Sequence, residues 1–205
     1  MRISYAIPVC NEHRELNNLL ALLVDSKRPD DEIVVQADKG NTTSDVYKVI
    51  DAFKDEIKFV EFPLEKNFAQ FKNHLKSQCN GDWIVQLDAD ELLDESLVQH
   101  MHEVLEMNSN VEVFSMPRIN TVEGLTSEHV RRWGWNVDSK GWVNFPDYQM
   151  RILKNLDRVQ WVNKVHEKIV GHTLHAFLPA EEEYCILHHK NIARQEAQNS
   201  LYNTI

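Results

Sequence analysis

The chain has 205 residues, 42% of them apolar and 26% charged, proportions that fit one globular domain and exclude wholesale disorder. Against 22 Lys and Arg stand 32 Asp and Glu, a net charge of −10, so the surface repels phosphate backbones and a nucleic-acid partner is not expected. No stretch stays apolar for about 18 residues and the N-terminus carries no signal-peptide pattern, so no transmembrane segment is expected and the cytoplasm is the simplest location. Cys10, Cys79 and Cys185 are odd in number and far apart, which argues for buried thiols over a disulfide framework or a structural zinc site.

The first half alternates strand and helix. Ile3 to Val9 reads as a buried strand, and Leu16, Leu19, Leu20 and Leu23 then recur on one helical face until Pro29-Asp30-Asp31 breaks it. Glu32 to Ala37 reads as a second strand, Asp38 to Asn41 as a loop, and Val46, Val49, Ile50 and Phe53 as a second helix. A third strand is expected at Ile57 to Phe62, then a helix from Phe68 to Gln78 that Asn80-Gly81 closes as a C-cap signal. Trp83 to Leu87 gives a fourth strand, Ser96 opens a helix with Leu97, Met101, Val104 and Leu105 inward, and Val111 to Met116 gives a fifth strand. This order implies an α/β fold with a mostly parallel, Rossmann-like central sheet flanked by helices, with ligands beyond the carboxyl ends of the strands.

Beyond about Arg118 the pattern changes. Trp133, Trp135 and Trp142 cluster among glycines and charges. Short strands are expected at Tyr148 to Leu153, Val159 to Trp161, Glu167 to Val170 and Tyr184 to His188, and a last helix from about Ala193. The expectation is a single domain over 1–205, with a ligand-binding half at about 1–117 and a smaller mixed region at about 118–205 packed on the same sheet.

The strongest local signal is Asp88-Ala89-Asp90-Glu91, directly after an apolar strand. Two carboxylates leaving a strand end together can face one hard cation, Mg2+ or Mn2+, with coordination sites left for phosphate oxygens. An acidic chain can hold a diphosphate in this way, with the cation between the two sets of negative charge. The plain structural alternative is a helix start with solvated charge.

Ile3-Ser4-Tyr5-Ala6-Ile7-Pro8-Val9-Cys10-Asn11-Glu12 resembles the opening strand of family 2 glycosyltransferases with the GT-A fold. Glu32 to Asn41 is similar to that family's second strand and nucleotide-binding loop, and Gly81-Asp82-Trp83 leading to Asp88-Ala89-Asp90-Glu91 resembles its D-x-D element. Phe68 to Asn73, Gly141-Trp142, Pro146 to Arg151 and Val165-His166-Glu167 resemble a branch that includes bacterial lipopolysaccharide-core β-glucosyltransferases.

The resemblance implies a metal-dependent, inverting transfer of a sugar from a UDP-sugar donor to a glycan, a lipid-linked saccharide or another hydroxyl acceptor. For a lipid-linked acceptor the protein would sit at the membrane periphery. In that reading Pro8, Asn11 and Glu12 line the nucleoside pocket, and Asp38 holds the base, where a carboxylate can accept the imide N–H of uracil. Lys39 stands where the family commonly has a second Asp. Lys72 approaches the base or phosphates, Asp88 sits near the ribose with Ala89 beside it, and Asp90 ligates the metal. His188 matches a downstream histidine that completes the metal site, and His166 is the lesser candidate; imidazole suits Mn2+ beside carboxylates.

Inversion needs a base to take the acceptor proton, and Asp147 and Glu167 are the candidates, with Glu167 preferred. Arg118 and Arg151 are candidates for holding phosphate or acceptor, and Trp142 offers a flat face to a sugar ring. Each residue has a bland counterpart: loop capping for Asn11, Glu12 and Asp38, a solvated face for Lys72, a strand-end hydrogen bond for the histidines, packing for Trp142, and a buried ion pair for Asp147 or Glu167. The alternatives are a nucleotidyltransferase, disfavoured because no glycine-rich loop follows the first strand, and a non-catalytic sugar-nucleotide or glycan-binding module. The latter is favoured if both candidate bases are locked in salt bridges.

Overall fold

The computed structural model describes residues 1–196. Strands β1 (Ile3–Val9), β2 (Glu32–Asp38), β3 (Lys58–Phe62) and β4 (Trp83–Gln86) run parallel in the order β3-β2-β1-β4. They are connected through helices α1 (His13–Ser26), α2 (Ser44–Ala52) and α3 (Phe68–Ser77). The chain moves outward from β1 to β2 and β3, then returns to place β4 on the other flank of β1. That reversal makes a switch point, and its crevice opens at the carboxyl ends of β1 and β4.

A two-residue strand β5 (Glu91–Leu92), helix α4 (Glu95–Met107) and strands β6 (Val113–Met116) and β7 (Arg118–Glu123) follow. Helix α5 (Ser127–Trp133), strands β8 (Gln149–Lys154), β9 (Gln160–Val162), β10 (Lys168–Val170), β11 (His175–Phe177) and β12 (Ile186–Asn191) come last, and residues 192–196 are helical. The main sheet has seven strands in the order β11-β6-β8-β4-β1-β2-β3. Within it β8 is antiparallel to both β4 and β6. Its first residues therefore enter at the carboxyl edge of the parallel strands, where Gln149 pairs with Met116. A second sheet, β5-β12-β7, and a β9–β10 hairpin complete the fold.

Burial on both faces explains the near-continuous apolar strands. Ile3, Tyr5, Ile7 and Val9 of β1 face the core built with α1, α2 and α4, whereas Ala6 faces the second core with α3 and the β9–β10 hairpin. Leu16, Leu19, Leu20 and Leu23 of α1 are all fully buried, each worth roughly 1.5–3 kcal/mol relative to exposure. Among the described residues no helix is long and apolar enough to cross a membrane. The cysteines are free thiols, Cys79 and Cys185 buried as expected and Cys10 half-exposed on the loop after β1.

Asn80-Gly81 does not cap α3. That helix ends at Gln78 in a right-handed conformation, and Gly81 serves close approach instead. Its N–H donates to Ser4 Oγ at 2.8 Å, and a Cβ there would lie 2.6 Å from Ser4 N and 2.7 Å from Ser4 Oγ. Strands β5, β7 and β11 and helix α5 have no counterpart in the sequence-based expectation. The expected last helix is present over 192–196, and its continuation falls outside the described residues.

Gly81→Ala should overpack the start of β4 at a cost of roughly 1–3 kcal/mol, lowering the thermal midpoint by about 2–10 °C. Differential scanning calorimetry of both proteins measures it. An unchanged midpoint would show that the β1–β4 junction yields freely.

Candidate active site

The loops at the switch point are built by their own side chains. After β1, Glu12 folds back so that Oε2 accepts from the N–H groups of Cys10 (3.0 Å) and Asn11 (2.9 Å). At the end of β2, Asp38 is buried; its Oδ1 accepts from Leu64 N at 2.9 Å and its Oδ2 from Asn41 Nδ2 at 3.0 Å. Both residues therefore organise their loops, while Asn11 and Lys39 are exposed and Pro8 is half-buried at the crevice rim. A carboxylate has about four lone-pair positions, so Asp38 keeps acceptor capacity for a ligand N–H.

After β4 the site is held by one chain of alternating charges. Arg151, from β8, is buried; its Nε donates to Glu91 Oε2 at 2.9 Å, and its Nη2 donates to Glu91 Oε1 at 2.8 Å and to Asp88 Oδ2 at 2.7 Å. Glu91 is fully buried and also accepts from Arg118 Nη1 (3.0 Å) and from the backbone N–H of Asp88 (3.0 Å). Arg118 continues to Asp147, donating to Oδ2 from Nε (3.0 Å) and Nη2 (2.6 Å). Asn120 and Gln149 donate to the two oxygens of Asp147 at 2.8 and 2.9 Å.

Burial alone would raise the Glu91 pKa, but the charge and hydrogen bonds of Arg151, then the charge of Arg118, hold it well below the carboxylate range. Asp147 is likewise lowered, burial being outweighed by the Arg118 charge and the hydrogen bonds from Asn120 and Arg118.

Asp90 points elsewhere. Its Oδ2 lies 3.3 Å from His188 Nε2 and 3.3 Å from Arg194 Nη2. His188 Nδ1 meets Asn120 Oδ1 at 2.7 Å, which fixes the ring. Burial would raise the Asp90 pKa, and the hydrogen bond and charge of His188 override it and keep the carboxyl low.

A carboxylate oxygen and an imidazole nitrogen converge here, a donor pair that suits Mn2+ or Mg2+, ions often bound by one or two protein ligands plus substrate phosphates. Asp88 is turned to Arg151, and His166 stands exposed on the turn before β10 with a positive φ of 52°. Among the described residues no three His, Cys, Asp or Glu side chains converge on one metal position.

Lys72 is not on a solvated face. It is 6% exposed, ion-paired with Glu167 and 4.6 Å above the Trp161 ring. Glu167 and Asp147 are thus both in ion pairs, with Lys72 and Arg118 as partners. Trp142 is half-buried, tilted against Phe145 at 4.8 Å between centroids, with Lys140 Nζ 4.2 Å above its ring.

Three contributors carried no sequence expectation. Glu91 stood inside the D-x-D segment without a role, and neither Asn120 nor Arg194 lies in a recognisable motif.

The lowered carboxylates contribute stability that is fully present above their unfolded pKa, about 4, and is lost as pH falls through their lower folded values. Glu91→Gln removes the charge that faces buried Arg151 and half-buried Arg118 and should cost about 3–5 kcal/mol at pH 7, a midpoint drop on the order of 10 °C. The gap between wild type and variant should narrow towards pH 3. Parallel midpoint-against-pH curves from pH 7 to 3 would remove Glu91 from the linkage.

Residues 4–169 match the family model Glycosyl transferase family 2. Among solved structures, a TarS fragment from S. aureus superposes with a TM-score of 0.65 at 12% identity, covering 92% of this chain and 60% of that one. The same fragment in complex with UDP-GlcNAc gives 0.64 at 13% identity, covering 93% and 59%. The mannosyltransferase PcManGT from Pyrobaculum calidifontis, in complex with GDP-Man and Mn2+, gives 0.50 at 18% identity, covering 57% and 35%. At these identities the likeness is one of fold, and the chain spans about 60% of the TarS fragment. No curated protein sequence matches the chain closely. With a match running from β1 into the β9–β10 hairpin, the chain belongs to Glycosyl transferase family 2.

Proposed function

We propose that this chain transfers a sugar from a UDP-sugar to a hydroxyl acceptor with inversion at the anomeric carbon, in a reaction dependent on Mn2+ or Mg2+. The observation that carries the reading is the convergence of Asp90 and His188 at the carboxyl end of β4, beside the switch point, in a family 2 chain. The nucleoside would lie against Pro8, Asn11, Glu12 and Asp38, with Asp38 accepting from the uracil imide. Asp90 and His188 would hold the divalent ion, with Asp88 and Ala89 beside the ribose. A divalent ion bound there supplies positive charge to the diphosphate as it leaves.

The acceptor oxygen attacks the anomeric carbon, the bond to the diphosphate oxygen breaks, and a carboxylate takes the hydroxyl proton. Glu167 suits that role better than Asp147. Arg118, Asn120 and Gln149 lock Asp147 in place and keep its pKa low, which makes it a weak proton acceptor and a positioning group. Glu167 pairs with the Lys72 ammonium, a rotatable donor that can turn to the donor phosphates and release it.

Trp142, beside this region in the chain, would stack on the acceptor sugar. Segments 68–73, 146–151 and 165–167 support a place near the lipopolysaccharide-core β-glucosyltransferases, with a glycan or lipid-linked saccharide as acceptor. Work at the membrane periphery from the cytoplasmic side fits such an acceptor.

A second reading, a non-catalytic sugar-nucleotide-binding module, is favoured by one observation: both candidate bases are in ion pairs. Turnover separates the two.

Calorimetric titration of UDP should show binding that requires Mn2+ and is lost in Asp90→Ala. UDP binding that survives in the variant would sink the metal assignment. Where UDP release from UDP-sugars is observed, Glu167→Gln should lower kcat by roughly 10²–10⁴-fold with KM for the donor little changed. Asp147→Asn should act more weakly. The reverse ranking would reassign the base, and wild-type donor binding without release or transfer would favour the binding module.

A further inference from the structure

We propose that Arg194 is a partner-exchanging cation of the donor site. It pairs with Asp90 when no metal is bound there, and shifts onto the donor's diphosphate when Asp90 is engaged by a divalent ion. The inference rests on the donor-site reading above and adds a residue and a direction of coupling to it.

The geometry is that of one guanidinium among three carboxylates. Arg194 Nη2 lies 3.0 Å from Glu12 Oε1 and 3.3 Å from Asp90 Oδ2, and Nη1 lies 3.0 Å from Glu15 Oε1. The Asp90 oxygen it covers is the one that faces His188. A divalent ion and a guanidinium cannot both sit against that oxygen without direct like-charge repulsion. Metal at Asp90 therefore disfavours the Arg194–Asp90 contact.

Where the side chain goes next follows from where it stands. Glu12 is on the loop after β1 and Asp90 on the turn after β4, the two strands that flank the switch point. Arg194 thus bridges the crevice in which a diphosphate would lie. Its planar fork matches phosphate oxygens bidentately, whereas Asp90 now takes a single nitrogen at 3.3 Å. The side chain is 27% exposed and comes from the short helical segment 192–196, not from the sheet.

The consequence is a pair of effects of opposite sign. Arg194 competes with the metal alone and cooperates with the diphosphate. A merely structural arginine would move both in the same direction.

The test compares wild type, Arg194→Gln and Arg194→Lys with three probes: Mn2+ alone by electron paramagnetic resonance, UDP at saturating Mn2+ by calorimetry, and uridine as the phosphate-free control. In Arg194→Gln, Mn2+ alone should bind roughly fivefold tighter, because a partly exposed competing ion pair is gone. UDP should bind roughly tenfold weaker, because a charge-assisted contact to phosphate is lost. Uridine should be unchanged, and Arg194→Lys should recover part of the UDP affinity.

Unchanged or weaker Mn2+ binding in Arg194→Gln overturns the competition. A loss of uridine binding alongside UDP overturns the phosphate role in favour of a structural one. Asp90→Asn separates the two levels of the argument. If it retains Mn2+ binding, or if folded wild type binds neither Mn2+ nor UDP, the donor-site reading fails and this inference with it. If Asp90→Asn loses Mn2+ while Arg194→Gln behaves as wild type, only the inference fails.

Discussion

Arg151 and Glu91 meet in the interior, with Glu91 fully buried and Arg151 only 4% exposed. Two ions taken out of water are stable only where geometry and further hydrogen bonds compensate for lost hydration. Here two parallel contacts join guanidinium to carboxylate, and the remaining capacity of Glu91 is taken by Arg118 and by the backbone N–H of Asp88. The arrangement requires β8 to run against its neighbours. An antiparallel strand begins where parallel strands end, so Asp147, Gln149 and Arg151 all arrive at the carboxyl edge from one short stretch of chain. A parallel strand in the same slot would bring its last residues there instead.

The pair also joins the turn after β4 to the start of β8. From Asp88 through Arg151, Glu91 and Arg118 to Asp147, each ionic side chain holds the next. The D-x-D turn therefore cannot shift without moving the carboxylate on the far side. Asp90 escapes this lattice because it points towards β12, and its partners His188 and Arg194 both come from the end of the described chain. The ion-pair chain is thus the frame of the candidate site, and the Asp90–His188 pair stands outside it.

The sheet and its helices were legible because their signal is local. Apolar runs of a few residues mark strands buried on both faces, and the leucines of α1 mark a helix with one buried stripe. The elements that escaped lack that signal. Strand β5 has two residues and β11 three, β7 is largely half-buried and polar, and α5 buries none of its side chains. The candidate site was legible in which residues gather there more than in their contacts. Asp88, Asp90, Arg151 and His188 lie in one neighbourhood as the motif order implied, yet sequence spacing carries no information on partners. A solvated face was the plain alternative for Lys72, and it fails because Glu167 and Trp161, which bury it, belong to the distant β9–β10 region. Gly81 was read as a cap because local sequence shows a glycine after a helix but not the Ser4 backbone pressed against it.

The histidine that faces Asp90 is selected by strand register. Along β12, Ile186, His188 and Lys190 are buried, and Leu187, His189 and Asn191 face solvent. His188 and His189 are chemically identical neighbours, so chemistry alone does not choose between them. The choice is made by pairing: β12 lies between β7 and β5, with His188 opposite Asn120 on one side and Glu91 on the other. A slip of one residue would turn every side chain of the strand over and bring His189 inward. It would also carry Arg194 away from Asp90, since residues 192–196 follow the strand directly. Asn120 secures the register from two directions at once, holding His188 Nδ1 and donating to Asp147. The same small side chain therefore ties the Asp90–His188 pair to the ion-pair chain, and that pair forms only when both sheets have found their register.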